Sequence, residues 1–65
     1  MTEKQEKILD SAIQLFAKEG YTAVSTRSIA QKAEVSEGLI FRHFKNKKGL
    51  LQSLLKRGEE RLEKT

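Results

Sequence analysis

The stretch Ile29-Ala30-Gln31-Lys32-Ala33-Glu34-Val35-Ser36-Glu37-Gly38-Leu39-Ile40-Phe41-Arg42-His43-Phe44 decides the fold. Ile29, Ala30 and Ala33 fall on one narrow face at helical spacing, so a short helix runs from about Thr26 to Ala33. Ser25 offers a hydroxyl to the free amides at its start. Glu34 and Val35 make a tight turn. Ser36 caps a second short helix from about Glu37 to His43, with Ile40 and Phe44, four apart, pointing inward together. Two short helices joined by a three- or four-residue turn form a helix-turn-helix. Ala30 is small enough for the two helices to cross closely, and Ile29, Val35 and Ile40 are apolar where the wedge between them must be filled.

Outward from this unit, the pattern stays helical. Ile8, Leu9, Ala12, Ile13, Leu15 and Phe16 paint a stripe on a helix from about Thr2 to Lys18. Gly20 suits the left-handed residue past its end, and Tyr21 can fold back on the last turn. Asn46 caps a fourth helix, about residues 47–62, whose stripe is Leu50, Leu51, Leu54, Leu55 and Leu62. Gly49 and Gly58 weaken it by about 1 kcal/mol each relative to alanine, and its end past Gly58 is expected to fray. The fold class is all-α: a three-helix bundle with a homeodomain-like helix-turn-helix, plus a fourth helix, in one domain over residues 1–65.

Composition bounds the function. A chain of 65 residues buries only about 60% of its unfolded surface, so a large enclosed substrate pocket is not expected. It has no cysteine and one histidine, which leaves no metal cage and no thiolate chemistry. No nucleophile–base or carboxylate pair can be assembled, so no catalytic residue, cofactor or metal is assigned, and an enzyme is not expected. No apolar run reaches the roughly 20 residues of a membrane span. Met1 to Lys7 is polar with both signs, unlike a secretory signal, so a cytoplasmic location is expected.

The net charge is +4, and its distribution is uneven. Residues 1–24 carry −1, residues 25–50 carry +4 and residues 51–65 carry +1. Phe41-Arg42-His43-Phe44-Lys45-Asn46-Lys47-Lys48 holds four formal cations and no acid. A basic patch beside a balanced remainder is the footprint of a polyanion partner, although a solvated surface has the same composition.

The residues around the patch fit duplex DNA. A B-form major groove, about 12 Å wide, admits one helix. The exposed edge of the third helix is Glu37, Gly38, Leu39, Arg42 and His43. Gly38 lets backbone come close. Glu37 can accept from cytosine N4, or it serves only as a favourable charge at a helix start. Leu39, placed outside by the helical wheel, can touch a thymine methyl. Thr26 and Arg27 open the second helix, whose free amides and dipole attract phosphate; the alternative is a cap residue and a solvated cation. Ser36 is a cap whose hydroxyl or neighbouring amides can also meet phosphate. Arg42 is basic and on the groove side. Lys47 is a cation in a first helical turn, where the dipole disfavours one, and a phosphate beside it would explain that placement.

The pattern Ile29-Ala30-x-x-Ala33-x-Val35-Ser36-x-Gly38-x-Ile40-Phe41-x-His43-Phe44-x-Asn46-Lys47-x-x-Leu50 resembles the signature of TetR-family (tetracycline-repressor-like) transcription regulators. Phe16-Ala17-Lys18-Glu19-Gly20-Tyr21 and Ser25-Thr26-Arg27 match its first helix and second cap. The resemblance spans about residues 6–55. It implies a homodimer whose amino-terminal heads bind a palindromic operator, with a larger helical domain for a small-molecule effector and for dimerisation. That domain lies outside this sequence, so the chain is expected to be a DNA-binding fragment. The resemblance also implies backbone contacts at the Thr26 and Arg27 positions and a phosphate hydrogen bond from His43. A histidine that merely closes the third helix is the alternative. Phe41 replaces the family's usual tyrosine and is expected to pack on sugar or a thymine methyl, or else to be a core ring. Glu34 stands where the family usually has glycine, so a left-handed residue there costs about 1 kcal/mol. Repression is the commonest mode in the family. A rival is a helical protein-interaction module using the leucine face of the fourth helix. A membrane-surface peptide is disfavoured, because the cations do not line one helix face.

Overall fold

Four helices follow in chain order: α1 (Glu3–Glu19), α2 (Thr26–Ala33), α3 (Glu37–Phe44) and α4 (Lys47–Glu63). The computed structural model describes the backbone of residues 2–63 and the side chains of residues 2–57. No strand is present among the described residues.

Each helix begins where a side chain satisfies free amides. Thr2 Oγ1 accepts from the Gln5 amide at 3.2 Å, and Gln5 Oε1 accepts from the Thr2 amide at 3.0 Å, a reciprocal capping box. Ser25 and Ser28 make the same exchange at α2. Ser36 Oγ accepts from the Leu39 amide at 3.2 Å, and Asn46 Oδ1 from the Gly49 amide at 2.8 Å. Glu3 and Glu6 in the first turn of α1, with Lys18 in its last, complement the helix dipole.

The ends are less uniform. The Gly20 amide donates to the Phe16 carbonyl at 2.9 Å, but its φ of 88° is paired with an extended ψ of 149°, not with the left-handed helical value expected from the sequence. That region is open essentially to glycine alone. Tyr21 does fold back, its ring centroid 5.2 Å from that of Phe16. Glu34 adopts the left-handed conformation, φ 60° and ψ 41°. Its amide donates to the Gln31 carbonyl and that of Val35 to the Ala30 carbonyl, so α2 ends in a Schellman motif. Lys45 has φ 71° and ψ −51°, and the Asn46 amide donates to the Phe44 carbonyl at 2.9 Å. This is a γ-turn of the uncommon, strained hand.

The core is Ile8, Leu9, Ala12, Val24, Ile29, Ala30, Ala33, Ile40, Phe44 and Leu50, with Leu15, Phe16, Val35, Leu39 and Leu54 packed against it. Two positions expected on apolar stripes are exposed instead: Ile13 at 51% and Leu55 at 61%. Ile13 lies about 100° round the helix from Ala12, past the edge of the buried face, while Ser11 on the other flank is buried. The expected stripe position Leu62, and the fraying expected past Gly58, fall on residues whose side chains lie outside the described ones. Arg57 Nη2 of α4 donates to Asp10 Oδ1 of α1 at 2.6 Å.

Gly49 has a packing reason. A Cβ there would overlap the Phe44 carbonyl oxygen, the acceptor of the γ-turn. The residue that weakens α4 thus allows its first turn to lean on the end of α3. Gly49→Ala should therefore lower stability by about 1–3 kcal/mol, the range for an overpacked site. Glu34→Gly should raise it by about 1 kcal/mol by relieving the left-handed residue, a gain of about 4–8 °C in Tm. Thermal unfolding followed by circular dichroism checks both; a Tm unchanged by either substitution would contradict these assignments.

Candidate nucleic-acid interface

The turn at Glu34 brings the amino-terminal ends of α2 and α3 side by side. Thr26 Oγ1 donates to Glu37 Oε2 at 2.7 Å in a half-buried contact, tying the two helix starts together. Two dipole-positive ends, each with a serine cap, therefore share one face. Glu37 balances them from between. One of its oxygens is engaged by Thr26, and Oε1 is left as an acceptor.

Around this pair, Arg27, Ser36, Gly38, Arg42 and His43 are exposed. Phe41 is 45% exposed, so it is not the core ring that was its alternative. Ser36 Oγ uses a lone pair on the Leu39 amide and keeps its own hydroxyl proton for a donor bond. A Cβ on Gly38 would meet only Ser36 Oγ, at 4.0 Å. Nothing inside the chain requires a glycine there. Leu39 departs from its expected place: it is half-buried and packs against the core, because the wedge between α2 and α3 is deep enough to take it as well as Ile40.

Lys47 also differs from its sequence reading. Its ammonium turns inward, donating to the carbonyls of Tyr21 at 2.8 Å, Val24 at 3.0 Å and Thr22 at 3.5 Å. It also lies 4.4 Å from the Tyr21 ring centroid, a cation–π distance. The cation in the first turn of α4 is thus accounted for by the α1–α2 connector, whose carbonyls have no helix to satisfy them. Lys45 and Lys48 are exposed, and with Lys56 and His43 they line an open groove of about 530 Å³ between the end of α3 and the first turns of α4.

One residue at this face escaped the sequence reading. Gln5 Nε2 lies 3.0 Å from His43 Nδ1, linking the first turn of α1 to the end of α3. The Thr2-x-x-Gln5 spacing is a capping-box signal, but nothing in it points to a histidine 38 residues away. Among the described residues there is no group of three or more potential metal-ligating side chains, and no helix is long and apolar enough to cross a membrane.

The chain is 54% identical over 55 residues to the uncharacterized HTH-type transcriptional regulator YvkB of Bacillus subtilis, covering 85% of this chain and 29% of that protein. It is 41% identical over 61 residues to the HTH-type transcriptional repressor KstR of Rhodococcus jostii, covering 94% and 29%. It is 45% identical over 51 residues to the transposon Tn10 TetC protein of Escherichia coli, covering 78% and 26%. The chain spans less than a third of the length of these relatives. Residues 8–54 match the family described as bacterial regulatory proteins, tetR family, which takes in both helices of the turn unit and the Asn46 cap. With that match laid over four capped helices and an exposed edge on α3, the chain belongs to the TetR family of bacterial regulatory proteins.

Proposed function

We propose that this chain is the sequence-specific DNA-binding head of a bacterial transcriptional regulator, in its commonest mode a cytoplasmic repressor, with α3 in the major groove of operator DNA. The observation that carries this reading is the exposed face of α3: Gly38, Phe41, Arg42 and His43 stand exposed, as does Arg27 at the start of α2, while Ile40 and Phe44 of α3 are buried. Phosphate contacts come from the backbone amide of Thr26, whose hydroxyl is engaged by Glu37, and from Ser36 and His43, with field from Lys45 and Lys48. Arg27, Gly38, Leu39, Phe41 and Arg42 read sequence, and Glu37 adds an acceptor through Oε1. Lys47 contributes mainly by holding the connector that sets the start of α2, and a phosphate at that position would share its ammonium with three carbonyls.

One such head buries only about 600–1,000 Å² of its own surface. A homodimer placing two heads on a palindromic operator multiplies the discrimination, with an effector domain beyond this segment. The repressor name carried by KstR supports repression. The exposed Ile13 and Leu55 are apolar positions on α1 and α4 that the head's own core does not claim. They suit packing against the remainder of a longer regulator, and they are what remains of the protein-interaction reading. No catalytic step is assigned.

Mobility-shift titrations on operator and random duplexes across salt test the reading. Arg42→Ala should flatten the preference among sequences by about 1–3 kcal/mol, whereas Lys48→Ala should weaken all duplexes alike. Equal affinity of both variants and the parent for every duplex would sink the proposal. Gly38→Ala should stabilise α3 by up to about 1 kcal/mol and still weaken operator binding, because the added methyl, 4.0 Å from Ser36 Oγ and otherwise free of the chain, would stand between the α3 backbone and the DNA. Lys47→Ala should weaken all duplexes and also lower Tm, by about 4–8 °C for each kcal/mol lost. A surface phosphate contact alone leaves Tm in place, so the thermal scan separates the two roles of Lys47.

A further inference from the structure

We propose that Gln5 is a positioning residue that fixes the tautomer of His43, so that the ring presents Nε2–H as its donor. The polarity of the contact can be worked out from a backbone group that has only one sense. The Thr2 amide can only donate, and it lies 3.0 Å from Gln5 Oε1, so that atom is the carboxamide oxygen. The Gln5 amide in turn donates to Thr2 Oγ1 at 3.2 Å, holding the residue at both ends. Its remaining terminal atom, Nε2, is therefore the NH₂ group, and it faces His43 Nδ1 at 3.0 Å. An NH₂ group only donates, so Nδ1 must present its lone pair. A neutral imidazole with a lone pair on Nδ1 carries its proton on Nε2.

The direction of every bond in this relay is thus set by the first turn of α1. Thr2 N–H donates to Gln5 Oε1, Gln5 Nε2–H donates to His43 Nδ1, and His43 Nε2–H is left to donate outward from an exposed ring. An unrestrained imidazole divides its proton between the two nitrogens, and the wrong tautomer would aim a lone pair at an anion. Pinning the proton on Nε2 makes the ring a donor of fixed sense. The consequence for DNA rests on the reading of His43 as a phosphate contact; the tautomer itself does not.

Long-range ¹H–¹⁵N correlation of the ¹⁵N-labelled chain reads the tautomer directly, and the single histidine leaves no ambiguity of assignment. In buffer at about pH 8.5, where imidazoles are neutral, the free protein should show a protonated Nε2 and an unprotonated Nδ1. A mixed pattern or a protonated Nδ1 in the unsubstituted protein would overturn the proposal without any variant. Gln5→Glu keeps the capping box, since a carboxylate accepts the Thr2 amide equally well, but it offers His43 only acceptors. The pattern should move to a protonated Nδ1 or to the imidazolium. Gln5→Ala should give the averaged pattern of a free ring.

The DNA consequence has its own arm. At the same pH, Gln5→Glu should weaken duplex binding about five- to tenfold in the parent background, and less in a His43→Leu background, where only the added charge acts. An equal loss in both backgrounds would overturn the link between tautomer and binding. If the parent shows the expected spectrum and binds no duplex, the relay stands and the functional reading falls.

Discussion

The left-handed turn at Glu34 reverses the chain after only eight residues of α2, and α3 that follows is no longer. Isolated helices below about 12–15 residues are marginal in water, so neither would hold its shape alone. What holds them is their mutual contact. The turn brings Ile29, Ala30 and Ala33 of one helix against Ile40 and Phe44 of the other, and α1 and α4 close over the joint with Ile8, Leu9, Ala12 and Leu50. Orientation of the exposed edge of α3 is therefore not a local property. It follows from burying those few side chains together, and the turn must accept an unfavourable backbone angle for that burial to occur.

Polar contacts then fix what apolar packing leaves loose. Thr26 to Glu37 locks the two helix starts, Lys47 gathers the carbonyls of the connector ahead of α2, and Gln5 reaches from α1 to the end of α3. Each joins two elements across 11 to 38 residues of sequence, and each involves a residue that the face itself uses or adjoins. A core this small cannot set side-chain direction at the surface by packing alone. Lys47 shows how such a contact is built: an ammonium has three protons and the connector presents three carbonyls, with the Tyr21 ring as a fourth, weaker partner.

Much of this was legible in the sequence, because caps and apolar spacing are local signals. Ser25, Ser36 and Asn46 each meet the amide three residues on, and Glu34 takes the positive φ its place in the pattern implied. What escaped was long-range. Lys47 read as a phosphate contact because its carbonyl partners lie 23 to 26 residues earlier, in a segment with no pattern of its own. Leu39 read as exposed because a helical wheel cannot say how deep the wedge beside it is. Ile13 and Leu55 read as core because apolar residues at the margin of a stripe look the same whether or not a neighbour covers them. The family resemblance supplied roles for Thr26, His43 and Phe41 that the residues by themselves left open.

Gly38 and Gly49 are equivalent to a propensity scale, since each sits inside a helix and costs about 1 kcal/mol relative to alanine. The structure separates them. At Gly49 a side chain would overlap the Phe44 carbonyl, so the cost of the glycine is offset within the fold by the tight junction of α3 and α4. At Gly38 the space is open, and α3, at eight residues no longer than α2, has little length to absorb a weak position. A destabilising residue with no internal compensation, exposed on one of the two shortest helices in the fold, fits the proposed reading, in which its reason lies outside the molecule. In the proposed reading the backbone of α3 is bare at Gly38 where DNA comes within contact distance, and Phe41, Arg42 and His43 are exposed on the same helix to engage it.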